Sequence, residues 1–408
     1  MKNIFPIFAL AIMFFCCGPI FIGLGNKFRT NENSTKSNAI FASAIQKKLV
    51  NKSEVEIFKA KNYIHWQNRS IKMKIERSTE RIPFRLTIVK SAVFIDSYLG
   101  NKILPNNVVD LGNGYLRQPF ALTKERLMNI DAFVQKIGHF KHILDSLNIP
   151  LVYVQYPNVI CNEDNISKTG KDQNVYLKNE LMKKLIGIDI PVIDLHKEFH
   201  QRANDSSKEF HHSLFYKTDH HWTAKTSISA SQIISEKLND FFDFGLETEL
   251  LDTANFTEIF AKKWLGSIGE RVIPLYPKEE FYIYSPKYAT NISWLLHHSE
   301  YRLFENNGNF DSLYHFLSGA REDNGLYGTA YPRSFSKNND LPNGKKILLI
   351  GDSFNNSLSK FFALVFKEVN FIYRSSSLLD DYLANKPDIV VIGFNNVAIN
   401  EPTKYLLF

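Results

Sequence analysis

Cysteine is scarce in this chain, with three among 408 residues. Cys16 and Cys17 lie side by side in an apolar run, and the third is Cys161. This number and placement exclude a disulfide framework. Scarcity of cysteine is typical both of cytosolic proteins and of bacterial proteins outside the cytoplasm, so it does not decide the compartment.

Charged residues are absent from residues 4–24. This apolar run is long enough to cross the hydrocarbon core of a bilayer, which takes about 20 residues. No cleavage site with small residues follows it, and Phe15 before Cys16 is wrong for a lipoprotein signal. We therefore predict an uncleaved membrane anchor over residues 1–25, with a cleaved signal peptide as the alternative.

Acidic residues are few in the first 90 residues. Residues 1–90 hold 16 Lys/Arg against 5 Asp/Glu, a charge of +11 that leaves about −4 for the rest of a chain that totals +7. We predict a basic stalk over residues 26–80. Its positive charge would favour contact with an anionic membrane surface or an acidic polymer. The alternative is a solvated basic helix without such a partner. No segment resembles a nucleic-acid-binding module, so we expect no nucleic acid partner.

Strand-like and helix-like segments alternate from residue 81 onward, which indicates an α/β domain with a mostly parallel sheet flanked by helices. Residues 242–340 interrupt the alternation, and we predict that they form an inserted lobe within a domain of residues 81–408. The turn residues 112–114 predict a hairpin. The predicted helices are 130–147, 175–186, 224–238, 355–367 and 376–385, and the predicted strands are 151–157, 190–195, 345–350, 369–375 and 387–394.

The segment ILLIGDSFNNS places Ser353 between the end of an apolar strand and the start of a helix. Open α/β sheets bind ligands at the carboxyl ends of their strands, and a helix N-terminus favours a forming oxyanion. Gly351 lets the chain turn tightly. Ser353 is therefore a candidate nucleophile, and the alternative is that Asp352 and Ser353 only cap the helix.

The segment TDHHW contains an acid and two histidines directly before a predicted helix with Thr223 as its N-cap. A serine nucleophile needs a base, and that base needs an orienting carboxylate. Alternate side chains of an extended turn share one side, so we predict that Asp219 pairs with His221 and that His220 points away.

Two other interpretations of TDHHW involve metals. A zinc site would need further ligands, and the two histidines of residues 209–212 lie near in sequence. A phosphoesterase of the kind named for its Asp-His-His motif would need several separate aspartates at strand ends, and VIDL alone is weak support. We expect no metal and no cofactor, with a histidine-rich zinc site as the alternative.

The last predicted strand supplies candidates for stabilising an oxyanion. VVIGFNN puts Gly393 and Asn395 at the end of a strand close to that of Ser353, where an amide can donate to an oxyanion. An ordinary turn is the alternative. Arg374 ends the intervening strand at the same sheet edge and is a candidate for binding substrate. Trp222 and His220 are further candidates, although aromatic residues lie more often in the core.

These motifs together resemble blocks of the SGNH (GDSL) hydrolase superfamily, in which GDS follows one strand and Gly-x-Asn a later one. The acid and base come first in this chain, and that circularly permuted order resembles the alginate O-acetyltransferase group. DHHW itself resembles the bacterial DHHW family within that group. The segments RIPFR, VVDLGNGYL, IPLVYVQYPN, PVIDL and WLGSIGERV fit the same family, so the resemblance covers residues 80–408.

The resemblance implies Ser353 as nucleophile, His221 as general base, Asp219 as its orienting acid, and the Ser353 amide with Asn395 as the oxyanion hole. The family's Gly-x-Asn-Asp block reads GFNN here, and no separate glycine stands near YRSSS to complete the hole.

The resemblance also implies a membrane-tethered, extracytoplasmic enzyme that acetylates a polysaccharide. The acetyl donor would come through a membrane-bound O-acyltransferase. A carbohydrate esterase with the same triad, and a non-catalytic polysaccharide-binding or assembly component, stay as alternatives. Basic residues directly after the apolar run favour a cytoplasmic location instead, but the positive-inside rule is weak for long translocated domains.

Overall fold

The structure is a computed structural model, and it describes residues 103–104, 108–118, 124–160, 174–272, 276–297, 303–308, 333–373, 383 and 385–395. The predicted anchor, the predicted stalk and Arg374 lie outside these residues. Within the described ranges, no helix is both long and apolar enough to pass through a lipid bilayer.

The predicted helices and strands are present in the described residues with shifted ends, and the helix predicted over 355–367 ends at Phe362. The helix predicted over 376–385 lies almost entirely outside the described residues. The α-helices are α1 (Lys124–Ser146), α2 (Asn174–Ile186), α3 (Leu195–Ala203), α4 (Lys208–Ser213), α5 (Ala224–Phe242) and α6 (Phe354–Phe362). The strands are β1 (Ile103–Leu104), β2 (Val108–Asp110), β3 (Leu116–Arg117), β4 (Leu151–Gln155), β5 (Val192–Asp194), β6 (Phe256–Trp264), β7 (Glu279–Pro286), β8 (Ile292–His297), β9 (Leu303–Gly308), β10 (Arg333–Asn338), β11 (Lys346–Gly351), β12 (Glu368–Tyr373) and β13 (Ile389–Phe394).

A central sheet has the strand order β5-β4-β13-β11-β12-β10-β8-β9. The first five strands in this order are parallel to one another. Because β11 and β13 pair directly, with Gly351 opposite Gly393, the segments after these two strands leave the sheet side by side. The predicted mostly parallel sheet is therefore confirmed, and it brings the Ser353 and Asn395 segments to one edge.

The region predicted as an inserted lobe divides into two parts. Strands β6 and β7 form a separate two-stranded antiparallel sheet. Strands β8, β9 and β10 instead extend the central sheet with antiparallel pairs, beginning with β10 against β12. Sequence alternation did not reveal this extension because antiparallel strands need no helix between them.

Helices cover both faces of the central sheet. In β11, Ile347 and Leu349 pack in one apolar cluster with α5 and α6, whereas Leu348 and Ile350 pack in another with α1 and α2. All four side chains are fully buried. A strand covered on both faces is a continuous apolar run in sequence, which is why KKILLI was recognisable as a strand.

The hairpin predicted at residues 112–114 is confirmed. Strands β2 and β3 pair antiparallel, and the turn has positive φ at Gly112, Asn113 and Gly114. Glycine and asparagine tolerate this left-handed region better than other residues. The hairpin also reaches the loop before α5, because the Leu116 N–H donates to the Lys217 carbonyl at 2.7 Å.

Candidate active site

The GDS turn holds Ser353 between β11 and α6. Gly351 is necessary here because a Cβ would overlap the Asn355 amide and the Gly393 carbonyl. Asp352 caps the helix, since its Oδ1 accepts from the Phe354 N–H at 3.1 Å. The Ser353 side chain makes no capping hydrogen bond. The Ser353 hydroxyl therefore does not cap the helix, which was the alternative role that the sequence left open.

The DHHW segment forms a tight loop that leads into α5. Phe215 and Trp222 face each other in an isolated antiparallel bridge. The Tyr216 N–H donates to the His221 carbonyl at 3.1 Å, which closes the loop between them. Thr223 then caps α5, accepting from the Thr226 N–H at 3.1 Å. A loop fixed at both ends holds the intervening acid and histidines in one arrangement.

Three side chains from these two segments form a continuous chain of hydrogen bonds. The His221 Nε2 lies 2.7 Å from Ser353 Oγ, and its Nδ1 lies 2.5 Å from Asp219 Oδ1. A carboxylate can only accept, so His221 Nδ1 carries the proton and Nε2 is left to accept from the serine hydroxyl. This is the geometry of a nucleophile, a base and an orienting acid.

The Asp219 carboxylate is buried and fully engaged. Its Oδ1 also accepts from the His221 N–H at 3.0 Å, and its Oδ2 accepts from the Ser267 N–H at 2.8 Å. Burial by itself would raise the pKa of Asp219, but the neighbouring His220 and His221 rings and the hydrogen bonds from His221 hold it well below its usual range. The acid is therefore ionised throughout the neutral range.

His220 differs from its predicted position. Its ring lies 3.8 Å from the His221 ring, and its Nδ1 lies 3.6 Å from Asp219 Oδ1 and 3.2 Å from Ser267 Oγ. The side chain is 44% exposed, so it is directed to solvent beside the triad and does not turn away from it. Alternation failed because the segment is a tight loop and not an extended strand.

Asn395 and Gly393 lie at the same sheet edge as Ser353. The Asn395 N–H donates to Asp352 Oδ2 at 2.8 Å, and its side-chain amide donates to the Pro157 carbonyl at 3.0 Å. The Gly393 carbonyl accepts from the Asn355 amide at 2.8 Å. A Cβ at Gly393 would overlap the Tyr156 ring, so close packing is a sufficient reason for this glycine.

Trp222, named as a candidate for binding substrate, lies in the core instead. Its side chain has no exposed surface, and it packs against Tyr156 and Phe354. Its indole N–H donates to Ser357 Oγ at 3.0 Å. Trp222 thus joins the DHHW loop to α6, the helix that directly follows Ser353.

Some contacts of the site were not predicted from the sequence. Asp352 joins the GDS turn to the end of β13, and Ser267 holds the triad acid. A Cβ at Gly266 would overlap Asp219 and the Thr218 backbone, so only glycine allows this close approach. WLGSIGERV was part of the family resemblance, but nothing in its spacing indicated which residue it would contact.

Two groups of side chains within the described residues have metal-ligating types close together. One is Asp219, His220 and His221. Both Asp219 oxygens accept hydrogen bonds, and His221 lies between the acid and Ser353, so these side chains are already engaged with one another and with the backbone. The other is His196, His200 and His211, which lie apart from these residues in sequence.

No protein-family model and no curated protein matches this chain. Solved structures do match it. Bacillus cereus PatB1 with a sulfonyl adduct has a TM-score of 0.61 at 20% identity and covers 74% of this chain and 100% of its own. A DHHW family protein from Eubacterium siraeum has a TM-score of 0.54 at 14% identity and covers 74% of this chain and 95% of its own.

The O-acetyltransferase domain of Pseudomonas putida AlgJ also matches, at 15% identity over 72% of this chain and 92% of its own. Its TM-score of 0.43 is too low to carry weight. The predicted resemblance to the DHHW family is confirmed, since a member of that family is among the structures with this fold. At these identities the likeness establishes the fold.

Proposed function

We propose that this chain is an extracytoplasmic polysaccharide O-acetyltransferase that uses Ser353, His221 and Asp219 through an acyl-enzyme. One observation carries the proposal, namely the contact of 2.7 Å between Ser353 Oγ and the ring nitrogen of His221 opposite to the one that binds Asp219. The sugar acceptor and the acetyl group are inferred from the resemblance of the DHHW and GDS motifs.

In the proposed reaction, Ser353 Oγ attacks the carbonyl carbon of an acetyl ester while His221 Nε2 takes the hydroxyl proton. The tetrahedral intermediate collapses, and His221 returns that proton to the leaving alcohol, which leaves an acetyl ester on Ser353. A sugar hydroxyl then gives its proton to His221 and attacks the acetyl carbon. Ser353 recovers the proton as it leaves.

The Ser353 backbone N–H and the side-chain amide of Asn395 are the proposed donors to the oxyanion. Ser353 precedes the first residue of α6, where backbone N–H groups carry partial positive charge. Removing one such donor typically costs about 100- to 1000-fold in rate. The donor of the acetyl group is proposed to be a membrane-bound O-acyltransferase, with this chain held at the membrane by residues 1–25.

Labelling with a sulfonyl fluoride tests the nucleophile. We expect the wild-type chain to be modified at Ser353, and the Ser353→Ala variant to be folded but unmodified, because the nucleophilic oxygen is missing. Ser146→Ala, at an exposed serine of α1, is the matched control and should be labelled like the wild type. Equal labelling of Ser353→Ala would rule out Ser353 as the nucleophile.

Turnover of a model acetyl ester, with and without oligosaccharide, separates the candidate functions. Transfer predicts faster ester cleavage and acetylated sugar when the oligosaccharide is present, since the sugar hydroxyl competes with water for the acyl-enzyme. Cleavage that is unaffected by sugar would indicate an esterase. A chain that is neither labelled nor active would indicate a non-catalytic binding component.

A further inference from the structure

A cluster of three histidines lies outside the triad. His196 and His200 are four residues apart on one face of α3, a spacing that lets two imidazoles bind one metal ion. His211 projects from α4 toward them. One nitrogen from each ring lies within 4.8 Å of the other two.

Backbone carbonyls fix the tautomers of two of these rings. The His200 Nδ1 lies 2.7 Å from the Asp205 carbonyl oxygen, and the His211 Nε2 lies 2.7 Å from the Asn158 carbonyl oxygen. A carbonyl oxygen can only accept, so both of these nitrogens carry the proton. In the neutral rings, His200 Nε2 and His211 Nδ1 are therefore left with lone pairs.

These two unprotonated nitrogens face each other at 3.1 Å. Two lone pairs at this distance repel unless a cation lies between them. A proton on His211 would place an imidazolium in a side chain that is only 1% exposed. A metal ion satisfies both lone pairs without protonating either ring.

We propose that His196, His200 and His211 bind a divalent transition metal ion, for which Zn²⁺ is the best match. Tetrahedral Zn²⁺ binds imidazole nitrogens at about 2.0–2.1 Å, which places two such nitrogens roughly 3.3 Å apart. The facing pair is already close to that spacing. Donation of the other ring N–H to a backbone carbonyl, as seen for His200 and His211, is the usual second contact of a metal-bound histidine.

The remaining coordination position is open to water, because His196 and His200 are partly exposed. The ion would join α3, α4 and the segment after β4. In that segment the Asn158 carbonyl binds His211, and the preceding Pro157 carbonyl binds the Asn395 amide. The metal therefore supports the segment that holds the candidate oxyanion donor, and it takes no part in the triad.

Metal binding by the purified full chain tests the proposal. The protein is stripped with a chelator and then titrated with Zn²⁺, or with Co²⁺ for its visible absorption. We expect one equivalent per chain, and a melting temperature higher by roughly 5 °C when free Zn²⁺ is about 100-fold above its dissociation constant. The comparison of stripped and loaded wild type depends on no variant.

Variants then locate the ion. His196→Ala and His200→Ala should lose the bound equivalent and the melting shift. His220→Ala removes a histidine from the other cluster and should keep both, and so should Ser353→Ala. A wild-type chain that binds no ion and shows no shift overturns the proposal. So does a chain in which His220→Ala loses the ion while His200→Ala retains it.

Discussion

At the scale of single residues, the site depends on how the Asp219 carboxylate is held. Three hydrogen bonds, from the His221 ring, the His221 N–H and the Ser267 N–H, fix both of its oxygens. These donors orient the acid without neutralising it. The imidazole of His221 is therefore kept in the tautomer that accepts from Ser353.

Replacing the triad acid by its amide should disable the base without unfolding the loop. In Asp219→Asn the side chain keeps its size, but an amide N–H group can lie where a carboxylate oxygen accepted from His221 Nδ1. This favours the tautomer in which His221 Nε2 carries the proton and cannot accept from Ser353. We expect kcat for acetyl ester cleavage to fall by a factor on the order of 10⁴. Steady-state kinetics measure this, and a fall of less than about tenfold would mean that Asp219 does not orient the base.

Lys360 gives the domain a pH dependence of stability. This lysine of α6 is 9% exposed, and burial lowers its pKa to about 7. In the unfolded chain the pKa of lysine is about 10.4, so the unfolded state binds more protons between these two values. Folding stability from this group therefore rises as pH increases from about 7 to about 10.4.

Lys360→Met should remove that dependence and raise the melting temperature at pH 7, because an apolar chain needs no charge in the core. Melting curves from pH 7 to pH 10 measure both effects. Lys225→Met, at an exposed lysine of α5, is the matched control and should change neither. A lower melting temperature for Lys360→Met at pH 7 would show that the ammonium group has a stabilising partner.

At the scale of elements, strand β7 positions the DHHW loop. Glu279 at its start accepts from the Lys217 N–H at 2.9 Å, from the Thr218 N–H at 2.8 Å and from the Thr218 hydroxyl at 2.5 Å. The residue after Thr218 is the triad acid. The separate β6-β7 sheet thus contributes to the site by fixing a loop, without supplying a triad side chain.

Glu279→Gln should loosen this attachment, because one of its two acceptor oxygens becomes an N–H₂ group that faces donors. We expect the rate of sulfonyl fluoride labelling at Ser353 to fall at least about tenfold, and stability to fall by about 1–3 kcal/mol. The adjacent Glu280 is exposed, so Glu280→Gln is the control and should leave the labelling rate unchanged. Equal rates in the two variants would show that β7 does not position the loop.

At the scale of the whole molecule, the triad joins segments that are 132 positions apart. Trp222 and Phe354 belong to one apolar cluster, and the Phe354 ring lies 5.1 Å from the His221 ring. We therefore expect the hydrogen bonds among Asp219, His221 and Ser353 to persist only while this core is intact. If the DHHW loop moved away from α6 while the rest of the core stayed folded, the indole of Trp222 would be exposed to solvent or would lose its hydrogen bond to Ser357.

Loss of Ser353 labelling should coincide with unfolding of the core in a urea titration followed by tryptophan fluorescence. The reason is that the same cluster buries Trp222 and supports the triad. Coincident midpoints are the expected result. If labelling disappears at clearly lower urea than the fluorescence change, the site opens locally and does not depend on the core as proposed.

The sequence alone determined the parallel part of the sheet and the residues of the candidate triad. Apolar runs such as KKILLI are long and local, and GDS and DHHW are contiguous, so neighbouring residues suffice to recognise them. The same local reasoning misplaced two residues. Trp222 was a candidate for binding substrate and lies in the core, and His220 was expected to point away and lies beside His221. Their positions depend on what packs against the loop.

Only the tertiary structure decided which distant segments meet. The contact of Ser267 with Asp219, the addition of β8–β10 to the central sheet and the convergence of His196, His200 and His211 all join parts of the chain without a shared local pattern. The facing nitrogens of His200 and His211 depend further on two backbone carbonyls. Hydrogen bonds of this kind follow from how the chain packs, and residue order alone does not specify them.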